Sequence, residues 1–182
     1  MLAPLRDRLV GDLHGTVLEV GCGPGGNFPH YPADAHVTAT DYSDHMIRRA
    51  LPRAAEVSAT IELEEADAHN LPYADASFDA VTAALVLCSI PNQPRALNEI
   101  KRVLKPGGEL RLLEHVRSHQ WWRRWGERAI SPLSSLLFDG ERFDRDTAAA
   151  VHAAGFEVTS EEDIEVAGPP LRRILLTARR PA

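Results

Sequence analysis

One short segment near the start of the chain holds the residues best suited to chemistry: VLEVGCGPGGNF, residues 17–28. An apolar, β-branched run that carries a single acid, Glu19, passes directly into a stretch with four glycines. Glycine has no Cβ atom and tolerates positive φ, so such a turn lets the backbone approach a ligand closely. The pattern therefore predicts a ligand-binding turn after the first strand of an α/β domain.

This turn is compatible with two kinds of ligand. Gly21, Gly23 and Gly26 satisfy the GxGxxG pattern of dinucleotide sites, and Asp41 follows at roughly the 20-residue interval expected for a ribose-binding acid. Glu19, however, would repel a pyrophosphate held at this turn. S-adenosylmethionine has no phosphate but carries a sulfonium and an ammonium group, which the same carboxylate would attract. We therefore expect the methyl donor, with an NAD(P)-dependent Rossmann oxidoreductase as the alternative.

The composition is that of one soluble globular domain: 182 residues, 44% hydrophobic and 25% charged, with a net charge of −6. The acidic balance argues against a nucleic-acid partner, which would need a basic surface. No apolar run approaches the roughly 18 residues that span a membrane, and the N-terminus is too charged for a secretory signal. We expect a single domain over residues 1–182, a cytoplasmic location and no integral membrane segment.

Cysteine and histidine usage indicates no metal site. Cys22 and Cys88 are too few for a disulfide framework, and no paired spacing of cysteines or histidines resembles a zinc site. The eight histidines are scattered singly along the chain. We therefore expect a chain without a structural metal.

Strand-like apolar runs alternate with helical patterns, which is typical of βαβ units and a parallel sheet. The predicted strands cover residues 16–20, 36–40, 60–64, 78–85, 109–116, 156–164 and 171–179. The predicted helices cover residues 2–13, 43–56, 93–104, part of 120–138, and 144–154, with Ser43 and Asp144 as N-caps. LKPGG at 104–108 is expected to end a helix. The last two strands leave no room for a crossover helix, so they are expected to form an antiparallel hairpin.

Several segments in order resemble the class I S-adenosylmethionine-dependent methyltransferases of the type 11 group. They are LEVGCGPG, TATDYS, EEADAHNLPYADASFDAVTAALVL and IKRVLKPGGELRLLEH. The run ALVLCSIPNQPRALNEIKRVLKPGG, followed by LLEHV, LLFDG and AGF, is similar to a small branch with the mammalian alkyl-thiol methyltransferases and bacterial relatives. The resemblance implies a three-layer α/β Rossmann-like fold: a seven-stranded, mostly parallel sheet with a C-terminal antiparallel hairpin.

The resemblance also implies the cofactor contacts, with S-adenosyl-L-homocysteine as product. The glycine turn would hold the methionine portion, Asp41 would accept both ribose hydroxyls, and Asp67 would read the adenine. Met46 is equally well interpreted as a core residue of an amphipathic helix. For Asp67 the alternative is a solvated loop acid, but its place after the third predicted strand favours adenine binding. The full set of predicted cofactor-binding residues is Glu19, Gly21, Cys22, Gly23, Gly25, Asn27, Asp41, Tyr42, Met46, Asp67, Ala68 and Leu85.

No compelling acid/base constellation accompanies these motifs. Glu114 and His115 lie at the end of the fifth predicted strand, and strand alternation points one of them towards the mouth of the site. His115 is the candidate base or substrate contact, and a hydrogen bond to a neighbouring loop is the alternative role. A thiol acceptor needs little help to ionise, which fits a site without an evident base. The acceptor classes considered are a thiol, a hydroxyl, an amine and a quinone-type carbon.

The stretch 117–143 is longer than a plain crossover and is expected on the substrate side. Its three tryptophans, Trp121, Trp122 and Trp125, form either a lid over a lipophilic substrate or the core-facing side of a helix. Adjacent arginines leave peripheral membrane association open. The chain departs from the thiol-methylating branch at Glu141, where the mammalian relatives have a cysteine, and in its short N- and C-termini. For the oligomeric state, both a monomer and a homodimer are considered. For the function, a non-catalytic cofactor-binding module is a further alternative.

Overall fold

The computed structural model of the protein describes residues 2–116, 146–164 and 172–182. The helices are α1 (Ala3–Val10), α2 (Asp44–Ala55), α3 (Gln93–Val103) and α4 (Thr147–Ala153). The strands are β1 (Gly15–Val20), β2 (Ala35–Asp41), β3 (Thr60–Glu65), β4 (Phe78–Ala84), β5 (Leu104–Val116), β6 (Glu157–Ile164) and β7 (Arg172–Arg179). A short 3-10 turn, Phe28–His30, follows the glycine segment.

The strands form one seven-stranded sheet in the order β3-β2-β1-β4-β5-β7-β6. The pairs β1–β2, β2–β3, β1–β4 and β4–β5 are parallel, whereas β7 runs antiparallel to both β5 and β6. The strand order reverses direction between β1 and β4, and ligands of open α/β sheets bind outside the carboxyl ends of the strands at such a point. The predicted fold class and the terminal hairpin are confirmed.

Two apolar cores cover the two faces of the sheet. Strand alternation sends Leu18 and Leu112 to the core that contains α3 and α4 residues, and Val17 and Leu113 to the core that contains α1 and α2 residues. The four side chains are at most 1% exposed. A leucine buried in this way stabilises the fold by roughly 1.5–3 kcal/mol, so helices on both faces hold the three layers together.

Several predicted boundaries differ from the structure for identifiable reasons. Helix α1 ends at Val10 because Gly11 takes the C-cap position. The segment after α3 does end that helix, but it enters β5 directly, and the β4–β5 register is irregular between Phe78 and Ala80. Ser43 occupies the N-cap position of α2 without a side-chain cap hydrogen bond.

The N-cap of α4 is Asp146, whose side chain accepts a hydrogen bond from the Ala149 amide at 3.0 Å. Three predictions lie outside the described residues: the cap Asp144, the helix within 120–138 and the substrate-side segment 117–143. Among the helices that are described, none has the length and apolar character needed to cross a membrane.

Candidate cofactor and active site

A cavity of about 1270 Å³ opens at the carboxyl edge of the sheet, where β1 to β4 end. Every predicted cofactor-binding residue except Gly25 contributes to its lining. The lining also includes residues that were not predicted: Arg6, Val20, Pro24, Gly26, Thr40, Ser43, Arg53, Ala66, His69, Ala84, Val86, Ser89, Ile90 and Pro91. The fold therefore brings together segments that are up to 85 positions apart, between residues 6 and 91.

The glycine turn presents bare backbone to this cavity. Gly23 has a φ of 53°, and a Cβ atom placed on it would meet nothing within 4 Å, so its backbone faces open space. Gly25 behaves differently: with φ at 77°, a Cβ atom there would lie 2.5 Å from the Phe28 ring. Gly25 thus allows the turn to pack on Phe28 and is not among the residues that line the cavity, and its contact with the cofactor stays a prediction.

Glu19, near the end of β1, is only 1% exposed yet borders the cavity. Its carboxylate accepts hydrogen bonds from Asn27 Nδ2 at 2.9 Å and from the Tyr31 hydroxyl at 2.8 Å. Burial raises the pKa of Glu19 to about 7, and the two hydrogen bonds and the charge of Arg6 oppose that rise. A carboxylate held by neutral donors beside a cavity is suited to a cationic ligand group, because such a group would stabilise its charged form.

Asp41 ends β2, and its carboxylate is fixed by two backbone amides. Gly23 N donates to one oxygen and Ser43 N to the other, both at 2.9 Å. Each carboxylate oxygen retains further lone-pair capacity after one such bond. Asp41 is therefore held in a defined orientation at the cavity wall and can accept additional donors, as a ribose diol would supply.

Asp67 is engaged by a residue that sequence reasoning did not single out. One of its oxygens accepts from both the backbone amide and the Nδ1 atom of His69, at 2.8 Å each. The His69 amide hydrogen bond, followed by the His69 side chain, lowers the pKa of Asp67. His69 Nε2 in turn accepts from the Asn92 amide at 3.3 Å. Both ring nitrogens are thus occupied, and His69 connects the loop after β3 to the start of α3.

The side chains expected around the adenine lie at different depths. Tyr42 is 77% exposed and lies at the rim of the cavity, whereas Met46 is half-buried on α2 and borders the same space. Cys22 is buried, and desolvation, with the nearby charges of Glu19 and Asp41, raises the pKa of its thiol well above the usual range. Cys22 is therefore a neutral thiol and not a nucleophile.

Glu114 does not point to the mouth of the site. It is fully buried, and its carboxylate accepts from the amides of Val86, Leu87 and Cys88 at 3.0, 2.9 and 3.3 Å. Glu114 therefore fixes the position of the loop that follows β4. That loop, and not Glu114 itself, lines part of the cavity. The sequence contains one signal for this buried role, since Glu114 is a lone acid inside the apolar strand LRLLEHV. The side chain of His115, the candidate base, lies outside the described part of the structure.

The donor set around the cavity fits S-adenosylmethionine rather than a dinucleotide. Two orphaned buried atoms, Asn27 Oδ1 and Arg6 Nε, lack hydrogen-bond partners, and Gly23 leaves room for a ligand against the backbone. Glu19 stands near the end of β1, beside the glycine turn, where a pyrophosphate would be repelled. Together with the antiparallel β7, these features define the class: a Rossmann-like S-adenosylmethionine-dependent methyltransferase, for which S-adenosylmethionine is the cofactor.

Within that class, the chain belongs to the methyltransferase domain family, whose profile matches residues 18–112. It is 36% identical to human (Homo sapiens) thiol S-methyltransferase TMT1A over 155 residues, 82% of this chain and 63% of that protein. It is 36% identical to a phosphatidylethanolamine N-methyltransferase of Cereibacter sphaeroides over 125 residues, 68% of this chain and 62% of that protein. The chain thus spans less than two thirds of either relative.

A solved structure shares the fold over the whole chain. It is a putative methyltransferase from Bacillus halodurans, with a TM-score of 0.82, 19% identity, and coverage of 100% of this chain and 99% of that one. At that identity the similarity concerns the fold.

Proposed function

We propose that this protein transfers a methyl group from S-adenosylmethionine to a small lipophilic acceptor, and that a thiol is the preferred acceptor. The observation that carries the proposal is the pair of anchored carboxylates, Glu19 and Asp41, on one wall of a single cavity. Glu19 is placed to attract the cationic methionine portion, and Asp41 to accept the ribose hydroxyls. Asp67 and Ala68 would read the adenine, with Tyr42 and Met46 on its faces.

The part of the cavity wall beyond the end of β4 is apolar and supports a lipophilic acceptor. Leu85, Val86, Ile90 and Pro91 line it beyond the end of β4. The loop that carries them is held by Glu114, and the Leu85 amide donates to the Leu113 carbonyl at 2.7 Å. Leu85 keeps a φ of 58°, an uncommon conformation for a residue with a side chain, so the loop around it is closely determined. This loop would place the acceptor against the transferred methyl.

The chemistry asks little of an acid or base. The bound cofactor supplies an electrophilic methyl group with a neutral leaving group, so alignment and exclusion of water can provide most of the rate enhancement. Among the described cavity residues, the only imidazole is that of His69, and both of its nitrogens are engaged. A thiol, with an ordinary pKa of about 8.5, is partly ionised at neutral pH without a protein base.

The relatives support a thiol first and an amine second. One relative is a thiol S-methyltransferase and another a phosphatidylethanolamine N-methyltransferase. An amine must be neutral to attack the methyl group, and its proton would need an acceptor in the site. The three acids of the described cavity, Glu19, Asp41 and Asp67, are assigned to the cofactor, and both nitrogens of His69 are engaged, which favours the thiol.

Calorimetry with S-adenosylhomocysteine tests the cofactor contacts. We expect Asp41→Ala to weaken binding by about 1.5–3 kcal/mol, since hydrogen bonds to a charged group are lost. Asp44→Ala is the matched control, because this acid on α2 pairs with Arg48 and does not line the cavity. Wild-type protein that fails to bind at millimolar ligand, or that prefers NAD, contradicts the proposal.

A transfer assay with tritiated methyl donor identifies the acceptor class. Alkyl thiols, phenols, quinones, small amines and phosphatidylethanolamine vesicles are compared at equal concentration, and we expect alkyl thiols to be methylated fastest. Product on the lipid amine alone contradicts the thiol assignment. Cofactor binding without product on any acceptor indicates a non-catalytic module.

A single domain over residues 1–182, a cytoplasmic location and a monomeric or homodimeric state belong to the same proposal. The chain has two cysteines, Cys22 and Cys88, and Cys22 is a free, buried thiol, which supports a reducing compartment, where disulfides are rare. Light scattering of the purified chain, with and without S-adenosylhomocysteine, measures the oligomeric state.

A further inference from the structure

Arg6 on α1 is a charged cavity residue to which the function described so far assigns no role. Its side chain lines the cavity, and its guanidinium lies against the glycine turn: a Cβ atom on Gly26 would be 2.5 Å from Arg6 Nη2 and 2.7 Å from Cζ. Arg6 Nε is buried without a hydrogen-bond partner. A guanidinium offers five N–H donors and no acceptor. One donor of this guanidinium is therefore unsatisfied, and the side chain borders the ligand space.

The position of Arg6 is held by contacts of its helix on several sides. Asp7 accepts from His30 Nδ1 at 2.5 Å, which ties α1 to the 3-10 turn after the glycines. Arg8 forms an ion pair with Glu162 of β6, and Asp12, just beyond the helix, forms one with Arg111 of β5. Because α1 is docked at both ends, the guanidinium stays close to the glycine turn.

The charges around the turn match a zwitterion. Glu19 is buried on one side of the turn, and the Arg6 charge is close enough to lower the pKa of Glu19. The methionine portion of the cofactor carries an ammonium, a sulfonium and a carboxylate, and its carboxylate is the single anionic group of the molecule. Arginine forms strong, charge-assisted and often bidentate hydrogen bonds with carboxylates.

We propose that Arg6 binds the α-carboxylate of the cofactor's methionine portion and so makes the site selective for ligands with the complete amino acid. This inference rests on the proposed cofactor site and adds its anion-binding residue. Glu19 and Asn27 take the ammonium on one side of the turn, and Arg6 takes the carboxylate on the other. Ligand binding thereby couples the N-terminal helix to the sheet.

Two ligands separate this role from general attraction. S-adenosylmethionine and its decarboxylated analogue share the sulfonium, the amine and the nucleoside, and differ in the carboxylate. By calorimetry we expect the wild-type protein to bind the complete cofactor about 10- to 100-fold more tightly, as for loss of a charge-assisted pair. We expect Arg6→Met to lose most of that preference, and Arg6→Lys to keep part of it because the charge remains without the planar fork.

Arg49→Met is the matched control, since Arg49 lies on α2, is exposed and does not line the cavity. It should keep the wild-type preference. Equal losses for both ligands in Arg6→Met, or a wild-type protein that binds both equally, overturn the role of Arg6. The wild-type comparison needs no variant to fold. If the wild-type protein binds neither ligand, it is the cofactor site itself that fails.

Hydrogen exchange gives an independent readout. We expect the amides of α1 to become more protected with S-adenosylmethionine than with saturating decarboxylated analogue, because only the first joins Arg6 to the turn. The same protection with both ligands contradicts the coupling. Neither measurement includes an acceptor, so an anionic group on the substrate cannot produce the effect.

Discussion

Glu19 and Glu114 lie near the carboxyl ends of β1 and β5, and their environments are alike in burial but not in partners. They are 1% and 0% exposed, and burial raises the pKa of each to about 7. Glu19 is held by two side chains, Asn27 and Tyr31, and borders the cavity. Glu114 is held by three consecutive backbone amides and does not line the cavity.

The difference shows that a buried carboxyl group, whose desolvation is unfavourable, has two different roles in this protein. Backbone amides have no side-chain rotamers through which they could move off the carboxylate. The role of Glu114 is therefore to determine the path of the loop after β4. Side-chain donors leave Glu19 directed at ligand space with a charge that responds to what binds there. Five predictions test this distinction, in decreasing order of expected effect.

Glu114→Ala should have the largest effect, and it should act on folding. Three buried amides lose their acceptor, and each unsatisfied group costs about 1–3 kcal/mol, so we expect a loss of about 3 kcal/mol or more in the free energy of unfolding. Chemical denaturation measures it. Glu62→Ala, an exposed strand acid, is the control and should change stability by less than about 0.5 kcal/mol. A loss for Glu114→Ala no larger than that of the control would show that the loop does not depend on it.

Glu19→Gln should act on binding more than on folding. The amide keeps one acceptor oxygen for Tyr31 or Asn27 but removes the charge that attracts the ammonium group, so S-adenosylhomocysteine affinity should fall by about 1.5–3 kcal/mol. Calorimetry and denaturation of the same preparation separate the two effects. The comparison fails if the stability loss exceeds the binding loss.

The pH dependence of stability should reveal both glutamates. A carboxyl whose folded pKa is raised holds its proton between the unfolded value near 4.5 and the folded value near 7, so the folded state binds more protons in that window. The free energy of unfolding should therefore fall as pH rises from about 5 to 7, by on the order of 2 kcal/mol per glutamate, and Glu114→Gln should make the fall shallower.

The pH dependence of ligand binding should distinguish Glu19 from Glu114. Binding of S-adenosylhomocysteine should tighten as pH rises towards 7, because its ammonium prefers the ionised form of Glu19, and Glu19→Gln should abolish that dependence. Glu114→Gln should leave it in place wherever the variant is folded. Parallel pH dependences in the two variants would show that the two carboxyls respond to ligand alike.

Tyr31→Phe should have the smallest effect. It removes one neutral donor from Glu19, which costs about 1 kcal/mol of stability and raises the pKa of Glu19 further. S-adenosylhomocysteine binding should weaken several-fold at pH 7 and recover at pH 8.5, where Glu19 is again ionised. Calorimetry at the two pH values checks this, and an equal loss at both would assign Tyr31 a contact of its own.

The parts of the site that were predictable are those governed by neighbouring residues in the chain. A strand, an acid and a glycine turn are contiguous, so Glu19, Gly23 and Asp41 were placed at the cavity before any contact was known. The packing of Gly25 on Phe28 and the missing side-chain capping bond of Ser43 could not be predicted in this way. Both features depend on which of several adjacent groups meets which partner.

The sequence by itself determined the class of fold, the strand ends that border the cavity and the negative charge of the side chains there, because period, turn chemistry and carboxyl position are local properties. Only the tertiary structure decided that Glu114 turns inward to a loop 26–28 residues away in sequence, that His69 is fully engaged, and that Arg6 lies on the glycine turn. Those outcomes depend on which distant segments the sheet brings into contact, and a buried polar group takes whichever partner that packing supplies.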